Sequence, residues 1–211
     1  MTSISSKAAR LSIAAAMTYQ LLLIALIFIR PDLDPSWHTI SEWAIGRHGW
    51  IMSLAFLISA VSYAALFVAI KSEVPSGWGK IGLGLLFVCF IVTVGVGLFT
   101  TDPYPPEKHL TPRGIVHIIS GTSAMALLPI AALLINLSLA RKNKSWSGAR
   151  WPLLITAGLP ILAFIGFVVH LSFFCNANGR LLWALAPDWL SPANRVSYVS
   201  DLANHLSMAS G

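Results

Sequence analysis

Long apolar runs almost free of charge alternate with polar connections, and most carboxylates lie, with many of the histidines and asparagines, in the segments that join alternate runs. A bilayer core of roughly 30 Å needs about 20 apolar helical residues. Residues 11–29, 51–70, 81–100, 115–139 and 153–174 supply that length, and 194–210 is a further, more polar candidate. Hydrophobic residues make up 56% of the chain, and Asp, Glu, Lys and Arg together only 10%. That is too little polar surface to cover the core of a water-soluble domain of this length. The expected fold is an all-α integral membrane protein, a six-helix transmembrane bundle forming one domain over 1–211. The first run has no small-residue cleavage signal after it and reads as a retained span.

Orientation is expected from the basic residues. Arg141, Lys142, Lys144 and Arg150 share one connection that contains no acid, and lysine and arginine collect on the cytoplasmic side. The amino terminus is therefore expected to be cytoplasmic, with the connections 31–49 and 101–114 facing outward. The pI near 9.7 then reflects topology. Basic and aromatic residues are not interleaved as a nucleic-acid surface requires, so no nucleic-acid partner is expected.

The outward connections carry the chemistry. Asp34 can cap a helix that starts at Pro35 and ends at Gly46, with Trp37, Ile40 and Trp43 as headgroup anchors. On such a helix His38, Ser41 and Glu42 share a face. In the next outward connection Asp102 is followed by Pro103, Pro105 and Pro106, which stiffen the path, and Thr111-Pro112 reads as the N-cap and first residue of the next helix. His117 then lies roughly 7 Å below the start of that helix at about 1.5 Å per residue. His170, near the end of 153–174, falls at a similar depth. On a helical wheel over 194–210, Tyr198, Asp201 and His205 cluster opposite the apolar face. Polar residues so placed should face the bundle interior or water, because lipid makes them costly. His38, Ser41, Glu42, Asp102, His117, His170, Arg195, Tyr198, Asp201 and His205 thus define a candidate outward-facing polar pocket.

These residues also resemble a known family. Ile40-Ser41-Glu42, the run Gly97-Leu98-Phe99-Thr100-Thr101-Asp102-Pro103, the segment Thr111 to Gly114 with His117 and Gly121, and Asn194-Arg195 are similar to the bacterial and archaeal membrane family catalogued as domain of unknown function number 998. The resemblance covers about residues 10–208 and is most specific from Phe99-Thr100-Thr101-Asp102-Pro103 to His117. It implies a six-span fold in a prokaryotic plasma membrane and no established reaction.

Several chemistries are compatible with the pocket. Asp201 and His205 have an i, i+4 ligand spacing, and His117 and His170 could complete a tetrahedral zinc site. Two histidines at one depth on different helices could ligate a haem. The simplest account is a buried network in which Asp102, His117, Arg195, Tyr198 and Asp201 satisfy one another. Ser41 beside His38 and Glu42 has the members of a hydrolase triad, but one short helix does not make nucleophile geometry. Cys89 and Cys175 lie at different depths and read as free thiols. No phosphate loop, dinucleotide fingerprint, Cys-x-x-Cys or matched broken-helix repeat is present, which weighs against a transporter. Two classes stay open: a protein that acts on or binds a lipid or other amphiphile, including a metal-dependent membrane hydrolase, and a non-catalytic membrane protein that binds a ligand or partner.

Overall fold

The computed structural model describes residues 5–33, 38–103, 110–142 and 144–174. Each apolar run forms one α-helix: α1 Ser6–Ile29, α2 Gly49–Ile70, α3 Gly77–Leu98, α4 Pro112–Lys142 and α5 Arg150–Phe174. Short 3-10 helices occupy Ile40–Ala44 and Lys144–Ala149. The chain divides into one unit at Met1–Ile161 and a second at Leu162–Gly211, of which the latter part of α5 is described.

The expectation of six helices is corrected. Among the described residues there are five α-helices. Four of them, Ser6–Ile29, Gly49–Ile70, Gly77–Leu98 and Pro112–Arg141, are long and apolar enough to cross a membrane. Within α5 the comparable apolar stretch is the shorter Arg150–Gly166. The sixth candidate, 194–210, lies outside the described residues. Its apolar length is interrupted by Asp201 and His205, so it lacks the continuous hydrocarbon surface on which a spanning assignment rests. The protein is a multi-pass membrane protein, and its up-and-down order suits an amino terminus on either side.

Helix boundaries follow local chemistry. The Ser76 hydroxyl accepts the Gly79 N–H at 3.0 Å and caps α3, and Thr111 does the same for α4 through Gly114 at 3.1 Å. Proline at the first position of α4 costs no helical hydrogen bond.

Consecutive helices pack in the order α1 to α4. Close approach is set by small residues on α3. A Cβ at Gly82 would sit 2.9 Å from the Leu134 Cβ of α4, and one at Gly97 would sit 3.1 Å from the Ser53 carbonyl of α2, whereas Gly84 faces open space. Two pairs of buried serines tie helices together. Ser12 and Ser62 each donate to the other's carbonyl at 3.0 Å between α1 and α2, and Ser76 donates to Ser138 at 2.7 Å between the α3 cap and α4. In hydrocarbon such hydrogen bonds supply part of the association that water-driven burial cannot.

Two apolar clusters mark the two ends of the first unit. One, around Ile70, Val74, Leu83, Leu86, Ile135 and Leu139, lies where α2 ends and α4 ends. The other, around Leu26, Trp43, Met52, Phe56 and Val96, lies where α1 ends and α2 begins. Of the candidate polar residues, the described ones, His38, Ser41, Glu42, Asp102 and His117, lie at the end that holds the second cluster.

Candidate functional site

The α1–α2 connection is folded against the bundle by Arg30. Its Nη1 donates to the Ile45 carbonyl at 2.6 Å, while Nε and Nη2 fork onto the Asp32 carboxylate at 2.9 and 2.8 Å. A guanidinium can serve a carbonyl and a carboxylate at once because its donors are fixed in a plane. The hydrogen bond from Arg30 is the main cause that holds the Asp32 carboxyl below its ordinary value, and the same bond raises Arg30. A depressed carboxyl stabilises the fold fully above its unfolded value of 3.8 and loses that contribution as pH falls through the lower folded value. Unfolding in detergent followed from about pH 5 to about pH 2 is expected to show a steeper loss for the wild type than for Asp32→Asn. Parallel curves would show that the pair adds nothing to stability.

The helix in this connection is shorter than the 35–46 segment suggests. It is the 3-10 turn Ile40–Ala44, preceded by Thr39 in an extended conformation. Asp34, Pro35, Ser36 and Trp37 lie outside the described residues. Gly46 ends the segment with φ +86°, a conformation that suits glycine. Three residues per turn bring a different face inward than an α-helix would. Trp43 is therefore not a headgroup anchor: it is 3% exposed and belongs to the cluster with Leu26, Met52 and Phe56. Glu42 is buried too, 4.0 Å from His38 Nε2 and 3.4 Å from the Thr39 hydroxyl. Ser41 is partly buried.

The α3–α4 connection is gripped at two points. Asp102 accepts the Thr111 backbone N–H at 2.7 Å and the Thr111 hydroxyl at 2.8 Å. The Thr111 hydroxyl accepts Gly114 N–H in turn, so carboxylate, threonine and helix start form one relay. A side chain at position 114 would collide with the Asp102 carboxylate. One turn further in, the His117 ring meets the Phe99 carbonyl through Nδ1 at 2.6 Å. A carbonyl only accepts, so Nδ1 carries the proton, and in the neutral ring Nε2 then presents a lone pair. His117 is 3% exposed, and Nε2 is buried without a hydrogen-bond partner. Phe56 of α2 packs edge-on to the ring with centroids 6.1 Å apart. The Trp43 indole N–H and the Thr93 hydroxyl are likewise buried without a partner.

Of the candidate pocket, then, His38 and Glu42 meet each other, while Asp102 and His117 hold two ends of the same connection through separate partners. His170 lies on α5, and its side chain is outside the described residues. Arg195, Tyr198, Asp201 and His205 are also outside them. Among the described residues no group of three or more His, Cys, Asp or Glu side chains is placed to hold a metal ion.

Sequence reading passed over Arg30 and Thr93 and placed Trp43 at the headgroup level. Arg30 acts largely on a backbone carbonyl, which leaves no mark in the partner's residue type. Thr93 is unremarked, and Trp43 is given the wrong surroundings, until burial shows their polar atoms enclosed.

No curated protein and no solved structure matches the chain. Residues 13–193 match the family described as Protein of unknown function (DUF998), a stretch that includes both gripped connections and His117. The chain therefore belongs to the DUF998 family of membrane proteins of unknown function.

Proposed function

We propose that the protein binds a lipid or other amphiphile, whose polar group donates a hydrogen bond to His117 at the end of the bundle where α3 passes to α4. The observation that carries this reading is the His117 ring, locked by the Phe99 carbonyl so that Nε2 is buried and unpartnered. An acceptor enclosed without a donor is costly in the fold, and a hydroxyl or amine from a ligand relieves that cost. The surrounding Phe56 and Val96 suit the apolar part of such a molecule.

The test is photo-crosslinking of purified protein with a long-chain alcohol bearing a diazirine. Labelling is expected near 99–117 in the wild type and about tenfold lower apparent affinity in His117→Phe, the worth of about one hydrogen bond. This variant keeps an aromatic ring against Phe56 but removes both the Nε2 lone pair and the Nδ1–H bond to the Phe99 carbonyl, so its thermal unfolding is compared with the wild type to separate lost binding from lost fold. Unchanged labelling in His117→Phe would overturn the assignment.

A second reading, for which His117 alone among the described residues offers an observation, is that Nε2 ligates a divalent metal; the sequence offers His170, Asp201 and His205 as further ligands. A histidine that ligates through one nitrogen commonly donates the other N–H to a carbonyl, as His117 does. Near-stoichiometric zinc, lost in His117→Ala and Asp201→Ala, with lower thermal stability in chelator, is the expected result of this reading. It would make the protein a candidate metal-dependent hydrolase.

A further inference from the structure

At the other end of the bundle, about 27 Å further along α4 at about 1.5 Å per residue, is a cavity of about 300 Å³. Leu86, Leu128, Ala132, Ile135, Asn136 and Trp146 are among the residues that line it. The Asn136 amide is engaged, donating to the Leu153 carbonyl at 3.1 Å and the Thr156 hydroxyl at 3.3 Å. What the cavity presents is therefore hydrocarbon. Its volume is at the lower end of ligand pockets, roughly 300–1,000 Å³, and it opens between helices of membrane-spanning length, where the solvent is lipid tail.

Charge around this end selects among lipids. Lys7, Arg10, Lys71, Lys80, Arg141 and Arg150 lie at the helix ends that meet here, and the acid at this end among the described residues is Glu73, which is buried. Arg141 and Arg150 are exposed and flank the 3-10 helix Lys144–Ala149 that carries Trp146. Tryptophan favours the depth at which headgroups meet tails, and basic residues near that level attract anionic headgroups. We propose that the cavity holds one acyl chain of an anionic glycerophospholipid, with its phosphate between Arg141 and Arg150. This site stands on observations separate from those at His117.

Native mass spectrometry of the detergent-solubilised full chain tests it, with phosphatidylglycerol and phosphatidylcholine of identical acyl chains as probes. One phosphatidylglycerol is expected to be retained at least about tenfold more tightly than phosphatidylcholine. Arg141→Gln with Arg150→Gln, both surface changes, is expected to remove that preference, each arginine contributing up to about fivefold. Ala132→Phe fills the cavity and is expected to abolish retention of either lipid while His117-dependent crosslinking persists. If Ala132→Phe does not fold, the arginine pair alone decides. Equal retention of the two lipids by the wild type, or a preference that survives the arginine changes, would overturn the proposal. Retention undiminished in a folded Ala132→Phe would do the same and place the bound lipid elsewhere on the protein.

Discussion

Gly49→Leu is expected to destabilise the protein by roughly 3 kcal/mol, the upper part of the usual range for overpacking. Gly49 is the first residue of α2, and a Cβ there would run into the Ala44 carbonyl and sit 3.2 Å from the Ala44 Cα. The obstacle is backbone, so no rotamer change relieves it. The 3-10 helix must lift, and with it Trp43 and Ala44 leave the cluster around Leu26, Met52 and Phe56. Even Gly49→Ala should cost a large share of this. Gly84→Ala is the control: the site is open, and alanine gains about 1 kcal/mol over glycine in a helix. Thermal unfolding in detergent measures both, and equal melting of Gly49→Leu and wild type would show that the connection is not seated as described.

The second large effect is expected at Asp102. Asp102→Ala removes both acceptor contacts to Thr111, each between a charged and a neutral group, and should cost about 1.5–3 kcal/mol. Gly114→Ala should be comparably harmful alone, because its Cβ would meet the carboxylate. In the Asp102→Ala background the same change should be nearly neutral, since the methyl group takes vacated space. Such a cycle gives a coupling energy that only residues in contact produce. Additive losses would separate the two positions. Asp102→Ala combined with His117→Ala should also lose less than the sum, because releasing either grip loosens the one connection that both hold.

The helices were legible because apolar length in a nearly uncharged chain admits few alternatives. The runs 11–29, 51–70 and 115–139 fall within α1, α2 and α4, and 81–100 passes the end of α3 at Leu98 by two residues. Thr111-Pro112 was legible as a helix start for an equally local reason. The 3-10 helix was not, because the tighter turn over Ile40–Ala44 is set by how the connection packs, with Trp43 and Ala44 against Leu26, Met52 and Phe56, which residue spacing does not encode. Asp102 and His117 stood out by residue type, but their partners are Thr111 and the Phe99 carbonyl. Pairings with backbone groups depend on where α3 and α4 meet, which residue type does not encode. The same holds for the orphaned nitrogen of His117, which follows from a tautomer fixed by its neighbour. A count of six helices extended the length argument to 194–210, where the apolar length itself gives out.

The relay from Asp102 through Thr111 to Gly114 also bears on which molecules can approach this part of the protein. A helix start attracts anions through its free N–H groups and the positive end of its dipole. In α4 that position is already filled by the protein's own carboxylate, seated so tightly that position 114 has no room for a methyl group. A phosphate or carboxylate arriving from solution would meet like charge where it would otherwise find an attractive field. This entrance therefore disfavours acids, and a molecule that reaches His117 by way of it should carry an alcohol, an amide or an amine at its polar end.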